Sequence, residues 1–437
     1  MDFKKSDVIK LENGKEAVIE KKLGSGGQGC VYRVTLDDGK AYALKWYTCR
    51  LENKSAFKNN LQDNIAAGSP DDMFVWPLCL TEEINDSFGY LMELIPDAYT
   101  QFCYVLKGKK DGRTVNFSSD RAIVTAALNI VHAFRSLHRG GLSFQDINDG
   151  GFFIDLNNGN VKILDCDNIT PGGLLNPGNV GGKPGFMAPE VLTGKELPGV
   201  PSDRYSLAVI LFKLFCRHDP MMGKAYVKSV CITEQTELEL YGTHPVFIFN
   251  PYDTSNRPVK GIHDNPIRIW KQLPDYIKDA FVTTFCDGIK NPDARLCDNE
   301  WYKKLLRWLD EVLVCPVCGD EYCLAKFEPG KMMKFSCGHS VSYPHMLQVN
   351  NYTIPLFPGT KIRSCHIKHD EDSYSKTEGL VVMNKKAPSL WGIKNLGKKW
   401  SFTIPGGQTK VIENNSVLPV AVGVEINFGN VTGKVIK

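Results

Sequence analysis

A glycine-rich segment near the beginning of the chain constrains the fold more than any other feature. Gly24, Gly26 and Gly29 fit the pattern G-x-G-x-x-G, which Val31 extends to G-x-G-x-x-G-x-V. A dinucleotide-binding fold needs a helix directly after such glycines, whereas residues 31–34 predict a strand. A flexible hairpin without a ligand would have the same composition. Because strands are predicted on both sides, the segment suits a hairpin whose backbone N–H groups cover a nucleotide's phosphates.

Three charged residues farther along have the types and settings that phosphate chemistry needs. Lys45 ends an apolar strand, where it either contacts phosphates or extends its amine from a sheet edge into water. Asp146 follows an amphipathic helix at 119–139 and would orient or deprotonate an acceptor hydroxyl. Asp165 ends another apolar strand and would bind Mg²⁺, which prefers carboxylate oxygen. Either aspartate alone could equally cap a loop.

Three later segments, taken in order with these residues, produce a resemblance to a known family. They are GFMAPE at 185–190, SDRYSL at 202–207 and NPDAR at 291–295. The sequence resembles the eukaryotic-like (Hanks-type) protein Ser/Thr kinases. The resemblance implies an α+β, bilobal kinase-like domain at 1–312, with an N-lobe at about 1–95 and a C-lobe at about 96–312. It also implies that Asp203 anchors the catalytic loop and that Arg295 pairs with Glu190.

The resemblance further implies an ATP site with Mg²⁺. Lys45 would contact the α- and β-phosphates, and Met92 would lie at the back of the adenine pocket, although it also suits an ordinary core. Glu93 and Leu94 would offer backbone groups to the adenine edge. The implied nucleotide-binding residues are Gly24, Gly26, Gly29, Val31, Ala43, Lys45, Met92, Glu93, Leu94 and Asp165.

Positions around the expected metal depart from the family pattern. Gly151 stands where an asparagine ligand of Mg²⁺ is expected, and Asn148 or Asp149 is near enough in sequence to replace it. Cys166 and Asp167 replace the usual Phe-Gly after the metal-binding aspartate, so Asp167 would add a carboxylate near the metal.

The helix predicted at 55–67 lacks the glutamate that usually pairs with Lys45. Asn64 has the customary spacing, but an amide pairs with an ammonium more weakly than a carboxylate does. The salt bridge therefore comes from elsewhere, or ATP binds weakly.

The catalytic loop also departs from the pattern. Gln145 replaces the arginine that would hold a phosphorylated activation loop, and Thr170 is the only hydroxyl residue between Asp165 and Glu190. Control by phosphorylation of that loop is therefore not expected. Asn148 replaces the usual lysine two residues after Asp146. We hypothesise that Lys183, in the position of a threonine, supplies the missing charge and is catalytic.

Fourteen cysteines raise the question of disulfides or a metal, and four candidate ligands lie in one short window. Cys315 and Cys318 form a C-P-x-C-G turn, and Cys337 and His339 follow. This pattern predicts a structural zinc ribbon at 313–348, because so small a module cannot bury enough apolar surface alone. The fourth ligand is the least certain of the set, and Cys323 and His345 are its alternatives.

The remaining residues, 349–437, predict short strands with turn signals and therefore a small β-sandwich. Its ending loosely resembles forkhead-associated domains, without a clear phosphothreonine motif. Lys385, Lys386, Lys394, Lys398 and Lys399 form a basic cluster, which is either a solvated face or a site for an acidic or phosphorylated partner.

The domain order resembles a group of bacterial kinases of tellurite-resistance-associated systems. The segments FVWP at 74–77, QDINDG at 145–150 and DCDN at 165–168 carry this resemblance. It implies phosphorylation of Ser or Thr on a protein partner, and it implies a protein phosphatase and a von Willebrand A-type protein as further partners.

Composition narrows the remaining function classes. The net charge of +3 gives no reason to expect nucleic-acid or membrane binding, and neither a signal peptide nor a transmembrane run is visible. A cytoplasmic enzyme is therefore expected. The alternatives are a pseudokinase scaffold, which binds nucleotide or partners without phosphoryl transfer, and a kinase-fold enzyme acting on a small molecule.

Overall fold

The computed structural model describes residues 2–49, 51, 53–174, 182–229, 231–368 and 374–437. The chain forms two compact units. The first contains Met1–Ser118, Asn129–Lys271 and Asp279–Asn299, and the second contains Ser119–Leu128, Gln272–Lys278 and Glu300–Lys437. The predicted domain boundaries after residues 312 and 348 stay predictions.

The first unit begins with a six-stranded antiparallel sheet. Its strands are β1 (Val8–Lys10), β2 (Glu16–Ser25), β3 (Gly29–Leu36), β4 (Ala41–Tyr47), β5 (Pro77–Leu80) and β6 (Gly89–Glu93), in the order β1-β2-β3-β4-β6-β5. Alternation along β4 directs Leu44 and Trp46 into an apolar core on one face, whereas Ala43 and Tyr47 enter a second core on the other. Lys45 therefore shares the face of Ala43 and Tyr47.

Helix α1 (Lys54–Ala67) covers that second face. Phe57 and Leu61 are fully buried in the same core as Ala43 and Tyr47, and Asn64, about one turn later, is buried as well. The helix agrees with the one predicted at 55–67.

The rest of the first unit is mainly helical. Its short strands are β7 (Tyr99–Gln101), β8 (Lys109–Lys110), β9 (Arg113–Thr114), β10 (Leu142–Ser143), β11 (Phe152–Asp155), β12 (Val161–Ile163) and β13 (Thr170–Pro171). Its helices, some of which continue into the second unit, are α2 (Phe102–Lys107), α3 (Asp120–Arg139), α4 (Pro189–Leu192), α5 (Val200–Cys216), α6 (Lys224–Lys228), α7 (Glu234–Leu238), α8 (Asp264–Trp270), α9 (Asp275–Val282), α10 (Gly288–Lys290) and α11 (Asp298–Glu311). Strands β11 and β12 form a hairpin, so the residues at its open end lie side by side.

The second unit contains two small hairpins and two larger sheets. The hairpins pair β14 (Val312–Val314) with β15 (Glu321–Cys323), and β16 (Met332–Lys334) with β17 (Ser340–Ser342). The later elements are β18 (Met346–Val349), β19 (Tyr352–Pro355), β20 (Lys361–Arg363), α12 (Ser364–Ile367), β21 (Thr377–Met383), β22 (Trp391–Asn395), β23 (Trp400–Thr403), β24 (Thr409–Ile412), β25 (Val417–Pro419), β26 (Glu425–Asn427) and β27 (Thr432–Ile436).

These later strands form a six-stranded sheet, β19-β18-β27-β26-β23-β24, and a four-stranded sheet, β20-β21-β22-β25. Both sheets contribute to one apolar core, for example through Leu347 and Ile426 from the first sheet and Val381 and Ile393 from the second. This arrangement has the layers expected of a sandwich. Among the helices of the described residues, none has the length and apolarity that crossing a membrane requires.

Candidate active site

Lys45 lies between two carboxylates in the first unit. Its Nζ is 2.7 Å from Asp167 Oδ2 and 3.3 Å from Asp165 Oδ1, and it donates a hydrogen bond of 3.1 Å to Gln28 Oε1. Lys45 is only 6% exposed. Burial alone would lower the pKa of Lys45, but the charges of Asp167 and Asp165 raise the pKa above its ordinary value. The side chain therefore stays positively charged at neutral pH.

Asp165 has an unusual backbone conformation beside this lysine. Its φ is +62°, in the left-handed region that a residue with a side chain rarely adopts. The side chain is 38% exposed, and its Oδ2 lies 3.8 Å from the position that a Cβ would take at Gly151. The backbone bond from Leu164 N–H to Gly151 O, 2.7 Å long, extends the β11–β12 hairpin to this point. The hairpin thus presents Asp165 next to the loop that contains Asp146.

Asp146 lies in the electrostatic field of the same groups. The Asn148 amide donates a hydrogen bond to its Oδ1 at 3.0 Å. Burial raises the pKa of Asp146 above its ordinary value; the hydrogen bond from Asn148 opposes the shift, and the charge of Asp165 adds to it. A carboxylate with a raised pKa is a better proton acceptor than an exposed aspartate.

Asp203, near the start of α5, holds the backbone of the loop just before Asp146. Its two carboxylate oxygens accept hydrogen bonds from Phe144 N–H (2.6 Å) and Gln145 N–H (3.0 Å). His138 contacts Asp203 Oδ2 through Nε2 at 3.2 Å and Asp298 Oδ2 through Nδ1 at 2.8 Å. Burial alone would lower the pKa of His138, but the hydrogen bonds to these two carboxylates raise it to about 9. Both ring nitrogens therefore donate at neutral pH.

A buried ion pair joins the segment that contains Glu190 to the segment that contains Arg295. Arg295 donates from two nitrogens to the two oxygens of Glu190, at 2.7 and 2.8 Å. Arg295 also donates to Pro201 O and Gly288 O. Such a bidentate pair holds two distant chain segments in a defined geometry.

An apolar surface borders Lys45 on the sheet side. Ala43 and Met92 are buried in one cluster, against which Val31, Leu94 and Leu164 pack. The predicted adenine-contacting residues except Glu93 thus share one cluster, while the Glu93 carboxylate forms an ion pair of 2.7 Å with Lys162.

The glycines of the β2–β3 turn have two different surroundings. A Cβ at Gly24 or Gly26 would meet nothing within 4 Å, so these backbones are open to a ligand. A Cβ at Gly29 would lie 2.1 Å from Trp46 O, so this glycine is required by the adjacent strand.

Comparison with known proteins agrees with this geometry. The family model described as "Protein kinase domain" matches residues 17–282, which is more than half of the chain. The chain belongs to the protein kinase family. Protein kinases use ATP and Mg²⁺.

Curated relatives are similar to parts of this kinase domain. The chain is 25% identical to rhodopsin kinase GRK1 of Rattus norvegicus over 210 residues, which cover 46% of the chain and 36% of that protein. It is 34% identical over 101 residues to probable serine/threonine-protein kinase MARK-C of Dictyostelium discoideum, covering 22% and 12%. It is 27% identical over 115 residues to serine/threonine-protein kinase 40 of Mus musculus, covering 25% and 24%. The chain therefore spans little more than a third, or less, of the length of these relatives.

The asparagines of α1 do not pair with the kinase lysine. The side-chain amides of Asn60 and Asn64 both donate to Ile169 O at 2.9 Å. The missing helix glutamate implied either a salt bridge from elsewhere or weak ATP binding. The structure has a salt bridge from elsewhere, since Asp167 provides a carboxylate beside Lys45. Asp167 Oδ2 contacts Lys45, and the expectation that Asp167 adds a carboxylate near the metal stays a prediction.

The two residues expected to replace the missing metal ligand are engaged elsewhere. Asn148 donates to Asp146 and accepts a hydrogen bond from Gly150 N–H at 2.9 Å. Asp149 forms an ion pair of 2.8 Å with Lys183, whose side chain is 57% exposed. Lys183 is thus linked to the catalytic loop through Asp149, and its proposed catalytic role stays a prediction.

Gln145 connects the catalytic loop to the segment after Asp165 without a charge. Its amide donates to Thr170 Oγ1 and to Leu174 O, both at 2.6 Å. In the family pattern described above, an arginine at this position would need a phosphate as its partner. Residues 175–181, which follow in this segment, lie outside the described part of the chain.

In the second unit, three of the four predicted zinc ligands come together. The sulfur atoms of Cys315, Cys318 and Cys337 lie within 4.8 Å of one another. Burial opposes the shift, but the backbone N–H groups of Cys318 and Val317 lower the pKa of the Cys315 thiol, which favours the thiolate that metals bind. His339 does not join this group among the described residues; its ring stacks on Phe335. Three thiols in this geometry fit Zn²⁺.

Sequence reasoning missed His138, Tyr47 and Tyr90. Tyr47 OH donates to Asp167 Oδ2 at 2.5 Å, and Lys45 Nζ lies 5.6 and 6.0 Å from the ring centroids of Tyr47 and Tyr90. The alternation along β4 places Tyr47 on the face of Lys45 and was a usable signal. No sequence signal connects His138 with Asp203 and Asp298, because their proximity depends on the packing of three separate elements.

Proposed function

We propose that the chain is an active kinase that transfers the γ-phosphate of ATP to Ser or Thr of a protein partner. The observation that carries the proposal is the arrangement of Lys45, Asp146 and Asp165. Lys45 contacts Asp165, and the charge of Asp165 contributes to the raised pKa of Asp146. The kinase relatives named above, two of which carry serine/threonine-protein kinase in their names, support this substrate class.

Each residue has a separate task in the proposed transfer. Lys45 holds the α- and β-phosphates, and Asp165 provides the exposed carboxylate oxygen for Mg²⁺. Mg²⁺, when bound, neutralises charge on the phosphates and aligns the γ-phosphate. Asp146 accepts a hydrogen bond from the acceptor hydroxyl and takes its proton as the new O–P bond forms and the bond to ADP breaks. Val31, Ala43, Met92 and Leu94 form the adenine-binding surface.

Lys183 is proposed to assist at the acceptor side. Its ammonium is joined to the catalytic loop by Asp149 and remains half exposed, so it can approach the transferred phosphate. A Lys183→Ala variant is expected to transfer phosphate more slowly. An unchanged rate would contradict this role.

Activity is tested with the full chain, radiolabelled ATP, Mg²⁺ and a panel of protein substrates that includes the chain itself. Asp146→Asn and Asp165→Ala should each reduce transfer by at least about a hundredfold, since each removes a group acting in the transition state. Asp155→Asn, at the end of strand β11, is the matched control. No transfer by the wild type together with normal nucleotide binding would instead identify a pseudokinase scaffold, and transfer at the wild-type rate by Asp146→Asn would contradict the role given to Asp146.

The remaining proposals concern the second unit and the partners. We propose that Cys315, Cys318 and Cys337 hold a structural Zn²⁺ with a fourth ligand from His339, Cys323 or His345. The resemblance to the bacterial systems supports a phosphatase and a von Willebrand A-type protein as partners. Mixing each purified protein with the phosphorylated kinase would test this, because the phosphatase should remove the transferred phosphate.

A further inference from the structure

The carboxylate nearest to the kinase lysine comes from an unexpected place. Asp167 is fully buried, and its Oδ2 contacts Lys45 Nζ at 2.7 Å, closer than Asp165 does at 3.3 Å. Both aspartates belong to one short stretch, since the 3₁₀ turn Cys166–Asn168 begins directly after Asp165. The lysine is therefore held by the metal-binding segment itself.

Helix α1 has no carboxylate available for this task. Its buried polar residue on this side, Asn64, donates to Ile169 O, and so does the neighbouring Asn60. The acidic residue of this helix, Asp63, is exposed. The helix is thus attached to the segment by neutral hydrogen bonds and contributes no charge to the lysine.

Neighbouring side chains hold the Asp167 carboxylate and the lysine in place. Tyr47 OH donates to the same oxygen, Oδ2, that contacts Lys45. The rings of Tyr47 and Tyr90 flank the ammonium. Burial, followed by the charge of Asp167, raises the pKa of both tyrosines, so both hydroxyls keep their protons. A buried ion pair whose carboxylate oxygen also accepts a hydrogen bond has a more defined geometry than a solvent-exposed pair.

We propose that Asp167 is the positioning residue for Lys45 and replaces the helix glutamate of other kinases. This rests on the proposed function, since it assigns Lys45 to the phosphates. The lysine then adopts its phosphate-binding position whenever the segment 165–168 is folded, independently of where α1 lies.

The test measures phosphoryl transfer and Mg–ADP binding by calorimetry for the full chain and its Asp167→Asn variant. The substitution preserves size and removes the charge. The loss of a charge-assisted contact should lower kcat roughly ten- to a hundredfold and weaken Mg–ADP binding about tenfold. Unchanged kcat and unchanged affinity would overturn the proposal.

Two further variants separate positioning from folding. Asp219→Asn removes the carboxylate of another buried pair, with Lys213 at 2.6 Å, and should lower the melting temperature while leaving Mg–ADP affinity unchanged. Tyr47→Phe keeps Asp167 but removes its hydroxyl donor and should reduce kcat severalfold in a folded protein, so it decides the matter if Asp167→Asn fails to fold. A Tyr47→Phe variant with wild-type kcat and affinity would count against the proposal.

The failure of the proposed function would look different. If Asp146→Asn transfers phosphate as the wild type does, the proposed function fails, and the role of Asp167 is decided by Mg–ADP binding alone. A loss of affinity in Asp167→Asn would still support it, and an unchanged affinity would refute it.

Discussion

At the scale of single residues, a buried histidine joins the catalytic loop to the helical part of the kinase domain. His138 lies in the last turn of the long helix α3, and its two ring nitrogens contact carboxylates from α5 and α11. An imidazolium between two carboxylates satisfies both, whereas a neutral ring would leave one acceptor without a donor. The position of the catalytic loop therefore depends on a charge that is present at neutral pH and is lost in mildly alkaline solution, because the pKa of His138 is raised to about 9.

The pH dependence of stability should reveal this charge. The folded-state pKa of His138 is raised to about 9 from an ordinary value near 6.5, so its stabilisation is complete below pH 6.5 and disappears as the pH rises through 9. The loss is on the order of 3 kcal/mol. Denaturant unfolding at pH 6, 7.5 and 9.5 should show it for the wild type and much less for His138→Gln.

The exposed His244 offers a matched control. His244→Gln should keep the wild-type pH profile, since the exposed His244 ring has a hydrogen bond to the neighbouring Thr243 hydroxyl and no ion pair among the described residues. A profile for His138→Gln that follows the wild type over the whole range would contradict the assigned role of His138.

The candidate site also shows which residues could be predicted from the sequence and which could not. Lys45, Asp146 and Asp165 were identified because local strand and loop patterns surround each of them. The partner of Lys45 was not, because Asp167 lies 122 positions away and its contact depends on how the segment 165–168 turns. Spacing alone could offer Asn64, whose amide in fact binds a backbone carbonyl.

At the scale of elements, two glycines of the β2–β3 turn differ in what they are needed for. Gly29 is needed for the fold, whereas Gly26 is expected to be needed for nucleotide binding. Gly29→Ala would force a Cβ into Trp46 O of the neighbouring strand, whereas Gly26→Ala would enter open space. We expect Gly29→Ala to destabilise the fold by roughly 1–3 kcal/mol. Gly26→Ala should leave the melting temperature unchanged and weaken ATP binding, because the new methyl group stands between backbone and phosphate. Equal melting temperatures for the two variants would refute this distinction.

The cysteine cluster of the second unit has its own prediction. Purified chain should contain one Zn²⁺ per molecule by elemental analysis, and Cys315→Ser should lose it together with part of the thermal stability. Cys323→Ser and His339→Ala identify the fourth ligand, since only the true ligand should lower the zinc content. Cys231→Ser, an exposed thiol outside the cluster, should retain the metal. Metal-free wild-type protein with an unchanged melting temperature would disprove the site.

At the scale of the whole molecule, the motifs and their order along the chain correctly predicted the kinase domain. A chain of motifs in a fixed order is specific, because each motif comes from a different element of the same fold. The β-rich composition of the last ninety residues predicted strands and turns, and the two sheets with a common core agree with that. The resemblance of this region to forkhead-associated domains stays a prediction, since short strands of alternating polarity suit many sandwiches.

Control of the kinase should not require phosphorylation of its own activation segment. Thr170, the sole hydroxyl between Asp165 and Glu190, is buried and bonded to Gln145 and Leu174. Treatment of the purified chain with a broad phosphatase should therefore leave the initial rate of transfer within about twofold of the untreated rate. A Thr170→Val variant serves as control, and a large drop after phosphatase treatment would show that some phosphorylated residue activates the enzyme.

The placement of the lysine's partner also bears on inhibitor design. A compound that inserts between the sheet and α1 would disable a kinase whose lysine depends on that helix. In this chain the same compound would disturb the packing of Phe57 and Leu61 and the amide bonds to Ile169 O, but it would leave the ion pair of Lys45 with Asp167 in place. Compounds that unfold the turn at 165–168 would instead displace Asp165, the proposed metal ligand, together with Asp167, the partner of the lysine. Selective inhibitors of this kinase should therefore be sought at that turn rather than at the helix.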